Sequence, residues 1–333
     1  MTSGRRAVVT GGAGYIGSHV VLALVEAGWD VVVVDDLSTG RREAVPPMVT
    51  FVHGDVGDCS TIEAAMARHR PHAVLHFAGS IVVTESVADP LKYYRNNTAA
   101  SRTVIEAANA FAVKVFIFSS TAAVYGAPDG IAVAEDAPTE PINPYGRSKL
   151  FTEMILRDVA AVTPMRYVAL RYFNVAGADP KGRAGQTSPG STHLIKVACE
   201  AALGVRADLE IYGDDYPTPD GTCVRDFIHV SDLADAHVLA IEYLLGGGEN
   251  AVLNCGYGHG WSVKTVVEII RCVAGVPFEV RIKGRRPGDP PSLVADPSKI
   301  RSRLGWRPKH DDLRFIVESA LAWERTQLIS RGG

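Results

Sequence analysis

The segment PYGRSKL (residues 144–150) places Tyr145 and Lys149 four residues apart. On a helix those two side chains share one face. A nearby ammonium favours a phenolate and lowers a tyrosine pKa from its ordinary value of about 10. A tyrosine tuned in that way takes a proton from a hydroxyl or returns it. Alone, such a pair also arises by chance on many helices. The second candidate is SSTAAVYG (119–126), which follows the apolar run VFIF (115–118). Ser119, Ser120 and Thr121 put three hydroxyls where a buried strand should end. Ala122 and Ala123 come next and offer neither an acid nor a base.

A third group lies near the start of the chain. TGGAGYIGSH (10–19) satisfies G-x-G-x-x-G through Gly12, Gly14 and Gly17, and G-x-x-G-x-x-G through Gly11, Gly14 and Gly17. Glycine lets a backbone turn tightly and approach a pyrophosphate, whose charge then sits at a helix N-terminus. Asp35 follows Gly17 by 18 residues and ends an apolar run. A carboxylate there accepts hydrogen bonds from adenosine ribose hydroxyls and repels a 2′-phosphate, which favours NAD over NADP. Arg41 and Arg42, just beyond it, read as a solvated loop. Asp55 reads either as an adenine contact or as a turn carboxylate.

These groups need strands and helices to place them. AVVTG (7–11), DVVVVD (30–35), FVHGDV (51–56), AVLHFAG (73–79), VFIFSS (115–120) and YVALRYFNV (167–175) are continuous apolar runs. Such runs suit strands buried on both faces of a parallel sheet. Helical patterns lie between them, over 15–28, 60–69, 90–110 and 144–162. Ser60 and Glu63 suggest a capping box, and Pro144 suits the first turn of a helix. The alternation predicts an α/β fold with a doubly wound, Rossmann-type parallel sheet. Beyond residue 175 the pattern changes to a Gly/Pro/Ser-rich loop (176–192), turns and short strands. We expect a Rossmann domain over 1–175, with a later return at about 226–256. A smaller, discontinuous C-terminal substrate-binding lobe is expected over 176–333.

The chain has 333 residues, 47% hydrophobic and 21% charged, with a net charge of −3. The charge is mixed, without the basic footprint of a nucleic-acid binder. No apolar run approaches a membrane span. The five cysteines are scattered with no C-x-x-C pair, which suits reduced, buried thiols rather than a zinc site. His69 and His72 flank Pro71 and read as a surface loop, so no metal is expected. The N-terminal apolar stretch is short for a signal peptide, and a cytoplasmic protein is expected.

Together these residues resemble the extended short-chain dehydrogenase/reductase family, and within it the UDP-hexose 4-epimerases. The segments VTGGAGYIGSH, ESVADPLKYYRNN, FIFSSTAAVYG, PYGRSKL, LRYFNVAGADP, DGTCVRDFIHVSDLADAH and GRRPGDPPSLVAD carry the likeness, in order, over essentially the whole chain. The resemblance implies that Tyr145 is the acid/base, that Lys149 binds the nicotinamide ribose and tunes Tyr145, and that Thr121 bonds the sugar's 4-oxygen. It implies an NAD site at Gly11, Gly14, Tyr15, Ile16, Gly17, Asp35, Asp36, Leu37, Ser38, Thr39 and Gly40. Asp55, Val56, Phe77, Ala78, Gly79, Asn96 and Phe173 would complete that site. Asn174, His193, Leu194, Tyr212, Arg225, Arg286 and Asp289 would hold a UDP moiety, with Leu293 lining the sugar pocket. Arginine suits a diphosphate because it is always charged and binds two oxygens at once.

Three positions depart from the pattern. Ile81 stands where a related bacterial enzyme has lysine, His193 replaces asparagine, and Leu293 lies between the family's bulky and small choices. The implied reaction is C4 oxidation by tightly bound NAD, rotation of a 4-keto sugar and return of hydride, by a homodimer acting on a UDP-sugar. N-acetylated UDP-hexoses are an alternative substrate. A nucleotide-sugar 4,6-dehydratase shares the first step but carries an Asp-Glu pair where this chain has Ala122 and Ala123. A non-catalytic NAD-sensing module remains the non-enzyme alternative.

Overall fold

Valine-rich runs become strands because both their faces are covered. The computed structural model describes residues 4–332, apart from 129, 131, 189, 287 and 288. Strands β1 (Arg6–Thr10), β2 (Asp30–Asp35), β3 (Thr50–His53), β4 (Ala73–His76), β5 (Val115–Thr121) and β6 (Arg166–Tyr172) alternate with helices. These are α1 (Tyr15–Glu26), α2 (Cys59–His69), α3 (Val83–Ala88), α4 (Pro90–Tyr93), α5 (Ala100–Ala110) and α6 (Pro144–Val162). Alternate strand residues serve opposite layers. Val9, Val33, Leu75 and Ile117 face Leu24 of α1 on one side. Val8, Val32, Val74 and Phe116 face Met66, Ile105 and Leu156 on the other.

After β6 the chain leaves the sheet. The run 167–175 breaks at Phe173, and β7 (Asn174–Ala176) pairs in parallel with β10 (Phe227–His229) instead. Between them lie α7 (Leu194–Ala202), β8 (Asp208–Tyr212) and β9 (Val224–Arg225). Helix α8 (Val230–Leu245) then leads to β11 (Ala251–Cys255), which joins β6. The main sheet is therefore seven-stranded and parallel, in the order β3-β2-β1-β4-β5-β6-β11. Its order reverses between β1 and β4, where a doubly wound sheet opens a crevice at the strands' carboxyl ends. The rest comprises β12 (Trp261–Ser262), α9 (Val263–Ala274), β13 (Glu279–Lys283), β14 (Ser292–Leu293), α10 (Ser298–Leu304) and α11 (Leu313–Gly332). Strands β12, β9 and β14 form one small sheet, and β8 pairs with β13. No helix among the described residues is long and apolar enough to cross a membrane.

Two local expectations are corrected. Helix α2 is capped by Asp58, not Ser60. Its carboxylate accepts from Ser60 N (3.1 Å), Ser60 Oγ (2.7 Å) and Thr61 Oγ1 (2.8 Å). An aspartate two residues upstream outcompetes the Ser60–Glu63 box because it satisfies three donors at once. The expected 90–110 helix is continuous in path but contains a π-helical turn over Tyr94–Ala99. Such turns often mark functional positions, and this one aims Asn97 at the loop after β4.

The glycine turn between β1 and α1 is set by backbone crowding. A Cβ on Gly17 would lie 2.2 Å from Gly11 O. Gly11 has φ +69°, and a Cβ there would lie 2.5 Å from Ala78 N. Neither neighbour is a flexible side chain that can move aside. Gly17→Ala is therefore expected to cost about 1–3 kcal/mol, read as a melting temperature several degrees lower by calorimetry. An unchanged melting temperature would show that the turn relaxes freely.

Candidate active site

The glycine turn and the end of β2 form one unit. Asp35 is buried, and its carboxylate accepts from Ala13 N (2.9 Å) and Leu37 N (2.8 Å). Burial raises its pKa, partly offset by those two bonds. Each oxygen keeps a further lone pair for a ribose hydroxyl. Leu37 sits at φ +59°, and Ser38 N and Oγ donate to Asp36 Oδ1. Gly40 packs on Ala13, and Arg41 N donates to Ala13 O, so the segment from Asp36 through Thr39 to Gly40 folds back over the turn. Arg42 is held by its own loop, donating to Val45 O and stacking 4.8 Å from the Phe51 ring centroid. Asp55 Oδ1 accepts from Gly57 N at 2.8 Å, the turn role, and Val56 beside it is buried. Gly14 precedes the first turn of α1, which Tyr15, Ile16 and Gly17 open. Tyr15 Oη donates to Gly177 O at 2.7 Å, joining this turn to the chain beyond β7.

Phe77, Ala78 and Gly79 leave β4 across the crevice. Phe77 N donates to Thr10 O. Gly79 is needed because a Cβ there would meet Asn97 Oδ1 at 2.8 Å. Asn97 accepts from Ser80 N (2.7 Å) and donates to Ser80 O (3.0 Å) and Ser148 Oγ (2.9 Å). Asn96 donates to Ser80 Oγ at 3.1 Å. The π-helical turn thus clamps the loop after β4 to α6.

Strand β5 ends at Thr121, and α6 brings Tyr145 to it. Asn143 caps α6 by accepting from Gly146 N at 2.8 Å. A Cβ on Gly146 would lie 2.5 Å from Ala123 O, so α6 starts hard against the loop carrying the two alanines. Thr121 Oγ1 accepts from Ala123 N at 3.1 Å, and Thr121 and Tyr145 line the same cavity. Burial raises the Tyr145 pKa, and the Thr121 hydroxyl lowers it in part. This differs from the tuning expected of the Tyr-x-x-x-Lys spacing. Lys149 Nζ is turned instead to Ser119 O (2.9 Å) and lies 5.1 Å from the Phe118 ring centroid. Burial lowers the Lys149 pKa from 10.5 to about 8. Beneath it, His76 is pushed down to about 3 by burial and then by the Lys149 charge.

Thr121, Ala122, Ala123 and Tyr145 open on a cavity of about 760 Å3. Ile16 lines it from the glycine turn, and Phe173, packed with Ala122 and Leu293, lines it from beyond β6. Asn174, His193, Leu194, Arg225, Arg286, Asp289 and Leu293 line it from the other elements. Arg225 donates to Val224 O and Pro290 O and lies 3.7 Å from Asp289. Arg286 sits 3.7 Å over the Tyr212 ring centroid, so Tyr212 reaches the cavity wall through that guanidinium. Pro287 and Gly288 of the same segment lie outside the described residues. Gln186 Nε2 contacts His193 Nδ1 at 2.8 Å. An amide nitrogen only donates, so the His193 ring proton sits on Nε2. Burial and Lys196 lower the His193 pKa.

Sequence reasoning missed several lining residues. Val83, Thr84 and Val87 come from α3, which the pattern did not separate from its neighbours. Gln186, Lys196, Trp323 and Glu324 also line the cavity. Lys196 donates to Glu324 at 2.6 Å and is almost fully buried. A lone lysine inside the apolar stretch HLIKVACEAAL (193–203) was a readable signal. Trp323 and Glu324 gave none, because only the fold brings α11 to the site.

A Rossmann sheet with a glycine turn at its switch point and a Tyr/Lys/Thr constellation at β5 defines a nucleotide-dependent enzyme of the short-chain dehydrogenase type. The chain belongs to the NAD dependent epimerase/dehydratase family, whose model matches residues 7–256. It is 60% identical over 321 residues to a UDP-glucose 4-epimerase of Azospirillum brasilense, covering 96% of this chain and 92% of that protein. The fold superposes on a Brucella ovis UDP-glucose 4-epimerase in complex with NAD. The TM-score is 0.93 at 46% identity, covering 96% of this chain and 98% of the other. A Bifidobacterium longum UDP-glucose 4-epimerase with NAD+ and UDP gives 0.92 at 39% identity, covering 97% and 99%. The residues here fit NAD, since the bare glycine turn, the open α1 N-terminus and Asp35 supply backbone donors and an acceptor in one crevice.

Lys149 generates a pH prediction. The folded chain releases this proton near pH 8 and the unfolded chain near 10.5. Between those values the unfolded state binds more protons, so stability rises with pH. Below about pH 8 the cost of burying the ammonium is fully present. Lys149→Met removes that cost, so its advantage over wild type, on nucleotide-stripped protein, should shrink from pH 7 to pH 9.5. The change is on the order of 1–3 kcal/mol, read from urea midpoints. A pH-independent difference would remove burial as the cause.

Proposed function

We propose that the protein interconverts UDP-galactose and UDP-glucose as a UDP-glucose 4-epimerase that keeps NAD bound through turnover. The observation that carries the reading is that Thr121 and Tyr145 line the same cavity as Arg225 and Arg286. NAD, when bound, accepts hydride from C4 and gives it back. Tyr145, in its phenolate form, takes the proton of the 4-hydroxyl and later returns it. Thr121 holds the 4-oxygen, and Lys149 supplies positive charge at the end of β5. Gly11, Gly14, Gly17 and Asp35 would anchor the dinucleotide, with Phe77, Ala78 and Gly79 lining the same crevice. Arg225, Arg286, Asn174 and the His193 Nε2–H grip the nucleotide diphosphate. The sugar end meets Leu293, Phe173, Ala122 and Ala123, which offer few polar anchors, so the hexose is free to turn. No acid or base stands at 122 or 123 to eliminate water, which disfavours the dehydratase reading. Residues 1–175, with the return at 226–256, form the cofactor unit, and most of 176–333 forms the sugar-nucleotide lobe.

In this reading the protein works in the cytoplasm as a homodimer. Leu91, Phe151 and Met154 are 75%, 42% and 43% exposed, and Tyr94 stacks on Phe151 at 6.0 Å. These apolar groups share the surface of the 90–110 and 144–162 helices, where two copies would build a four-helix bundle. Phe151→Glu is expected to halve the mass measured by light scattering. An unchanged mass would place the contact elsewhere or remove it.

The function is tested by incubating purified protein with UDP-galactose and no added NAD. UDP-glucose should accumulate to equilibrium. A 4-keto-6-deoxy product, or none, sinks the reading. UDP-N-acetylgalactosamine run in parallel reports what Leu293 admits. Tyr145→Phe should keep bound NAD while losing about 100-fold or more in kcat. Near-normal turnover would remove Tyr145 from the chemistry.

A further inference from the structure

One buried charge pair lies directly behind the proposed catalytic groups and takes no part in the steps above. Ser120, Arg171 and Asn254 sit side by side on β5, β6 and β11, in matched register. All three are buried. Arg171 Nε donates to Glu153 Oε1 (3.0 Å) and Nη2 to Glu153 Oε2 (2.7 Å). Ser120 Oγ bonds the same Oε1. The Arg171 guanidinium lies 4.8 Å from the Tyr125 ring centroid, and Tyr125 Oη donates to Asn254 Oδ1 at 2.7 Å. Asn254 also donates through Nδ2 to Val133 O and through its backbone N to Glu135 Oε1, both at 2.7 Å.

The connectivity matters more than the count. Ser120 immediately precedes Thr121 on β5. Glu153 lies four residues beyond Lys149 and eight beyond Tyr145 on α6. One carboxylate therefore ties the strand that presents Thr121 to the helix that presents Tyr145 and Lys149. The two-point Arg171 pairing fixes how that carboxylate is turned. Tyr125 closes the four-residue turn that starts with Ala122, so the same guanidinium also steadies the loop after Thr121. Buried ion pairs are weak stabilisers, and apolar replacements are often as stable. Stability alone therefore gives little reason for charges here.

We propose that Glu153 and Arg171 are positioning residues that hold β5 and α6 in the register at which Thr121 meets Tyr145. Neither lines the cavity on which Thr121 and Tyr145 open. Disturbing the pair lets the two elements shift relative to each other, and displacements near 1 Å are enough to cost catalysis heavily. Nucleotide binding rests on Arg225 and Arg286, outside this network, so KM is expected to stay nearly constant.

The test separates folding from positioning. Glu153→Leu alone leaves Arg171 buried and unpaired, and the protein should lose thermal stability. The double variant Glu153→Leu/Arg171→Met should recover the melting temperature and the bound NAD. Its kcat for UDP-galactose should remain about tenfold or more below wild type, with KM within about threefold. Recovery of kcat together with stability would overturn the proposal. Should the double variant fail to fold, Ser120→Ala and Glu153→Gln serve as a cycle of near-isosteric changes. Their losses in kcat should be shared rather than additive, because both cut the same strand-to-helix tie. Fully additive losses, or none, would equally overturn it. The inference rests on the proposed Thr121–Tyr145–Lys149 chemistry. Retained turnover in Tyr145→Phe sinks that chemistry, whereas a recovered kcat in the apolar double variant sinks only the positioning role.

Discussion

A parallel sheet covered on both faces can place polar groups only where its strands end. That constraint arranges this molecule. Val8 to Val9, Val31 to Val34, Val74 to Leu75 and Phe116 to Phe118 are sealed between two helical layers. Towards the carboxyl ends, hydroxyls and charges appear at Thr10, Asp35, His76, Ser119 and Arg171, as charges do at the amino ends at Arg6, Asp30 and Arg166. The crevice between β1 and β4 follows from strand order, and the glycine turn follows from how closely β1, α1 and the loop after β4 approach one another there. Binding and chemistry share the carboxyl edge because the strand-order reversal opens its crevice there.

Placing charge at such an edge has an electrostatic cost, and the neighbours are chosen to limit it. Lys149 is buried, so its ammonium is weakened. His76 beneath it stays neutral, held between Thr10 Oγ1 at 2.6 Å and Ser101 Oγ at 2.8 Å. Since Ser101 donates to Asn97 O, it accepts from His76 Nε2, and the ring is locked in one tautomer. A second cation below Lys149 is thereby avoided. Arg171 at the same edge is paired with Glu153 of α6, and their charges satisfy each other, while the Lys149 ammonium donates to the Ser119 carbonyl.

Much of the sheet was legible because its residues obey one simple rule. DVVVVD becomes β2 without adjustment, and VFIFSS gains only Thr121. The glycine turn, Asp35, the hydroxyl-tipped β5 and the Tyr145/Lys149 helix were readable from local pattern. Less legible was anything that depends on a distant partner. The run 167–175 gave no sign that Phe173 would break it, because the break follows from β7 pairing with β10. The π-helical turn is set by Asn97 reaching Ser80 and Ser148. Asp58 outranks Ser60 as a cap through bonds that spacing alone did not separate. Tyr145 was expected to be tuned by Lys149, yet side-chain direction turned that ammonium to Ser119 O, which spacing on a helix does not encode.

The cavity's asymmetry gives the proposed chemistry its physical sense. At one end the guanidiniums are pre-set. Arg225 is bonded to the carbonyls of Val224 and Pro290, and Arg286 is laid on Tyr212. Little side-chain freedom is lost when such groups meet a diphosphate, so binding there can be firm. At the other end Ala122, Ala123, Phe173 and Leu293 present mostly methyl and ring surface. A hexose held at its phosphate by charge and elsewhere by apolar walls has no polar reason to prefer one face over the other. Thr121 and Tyr145 supply the directional contact at its reacting oxygen. Inversion at one carbon needs that combination, because a tighter grip on the sugar would favour one epimer and stop the exchange.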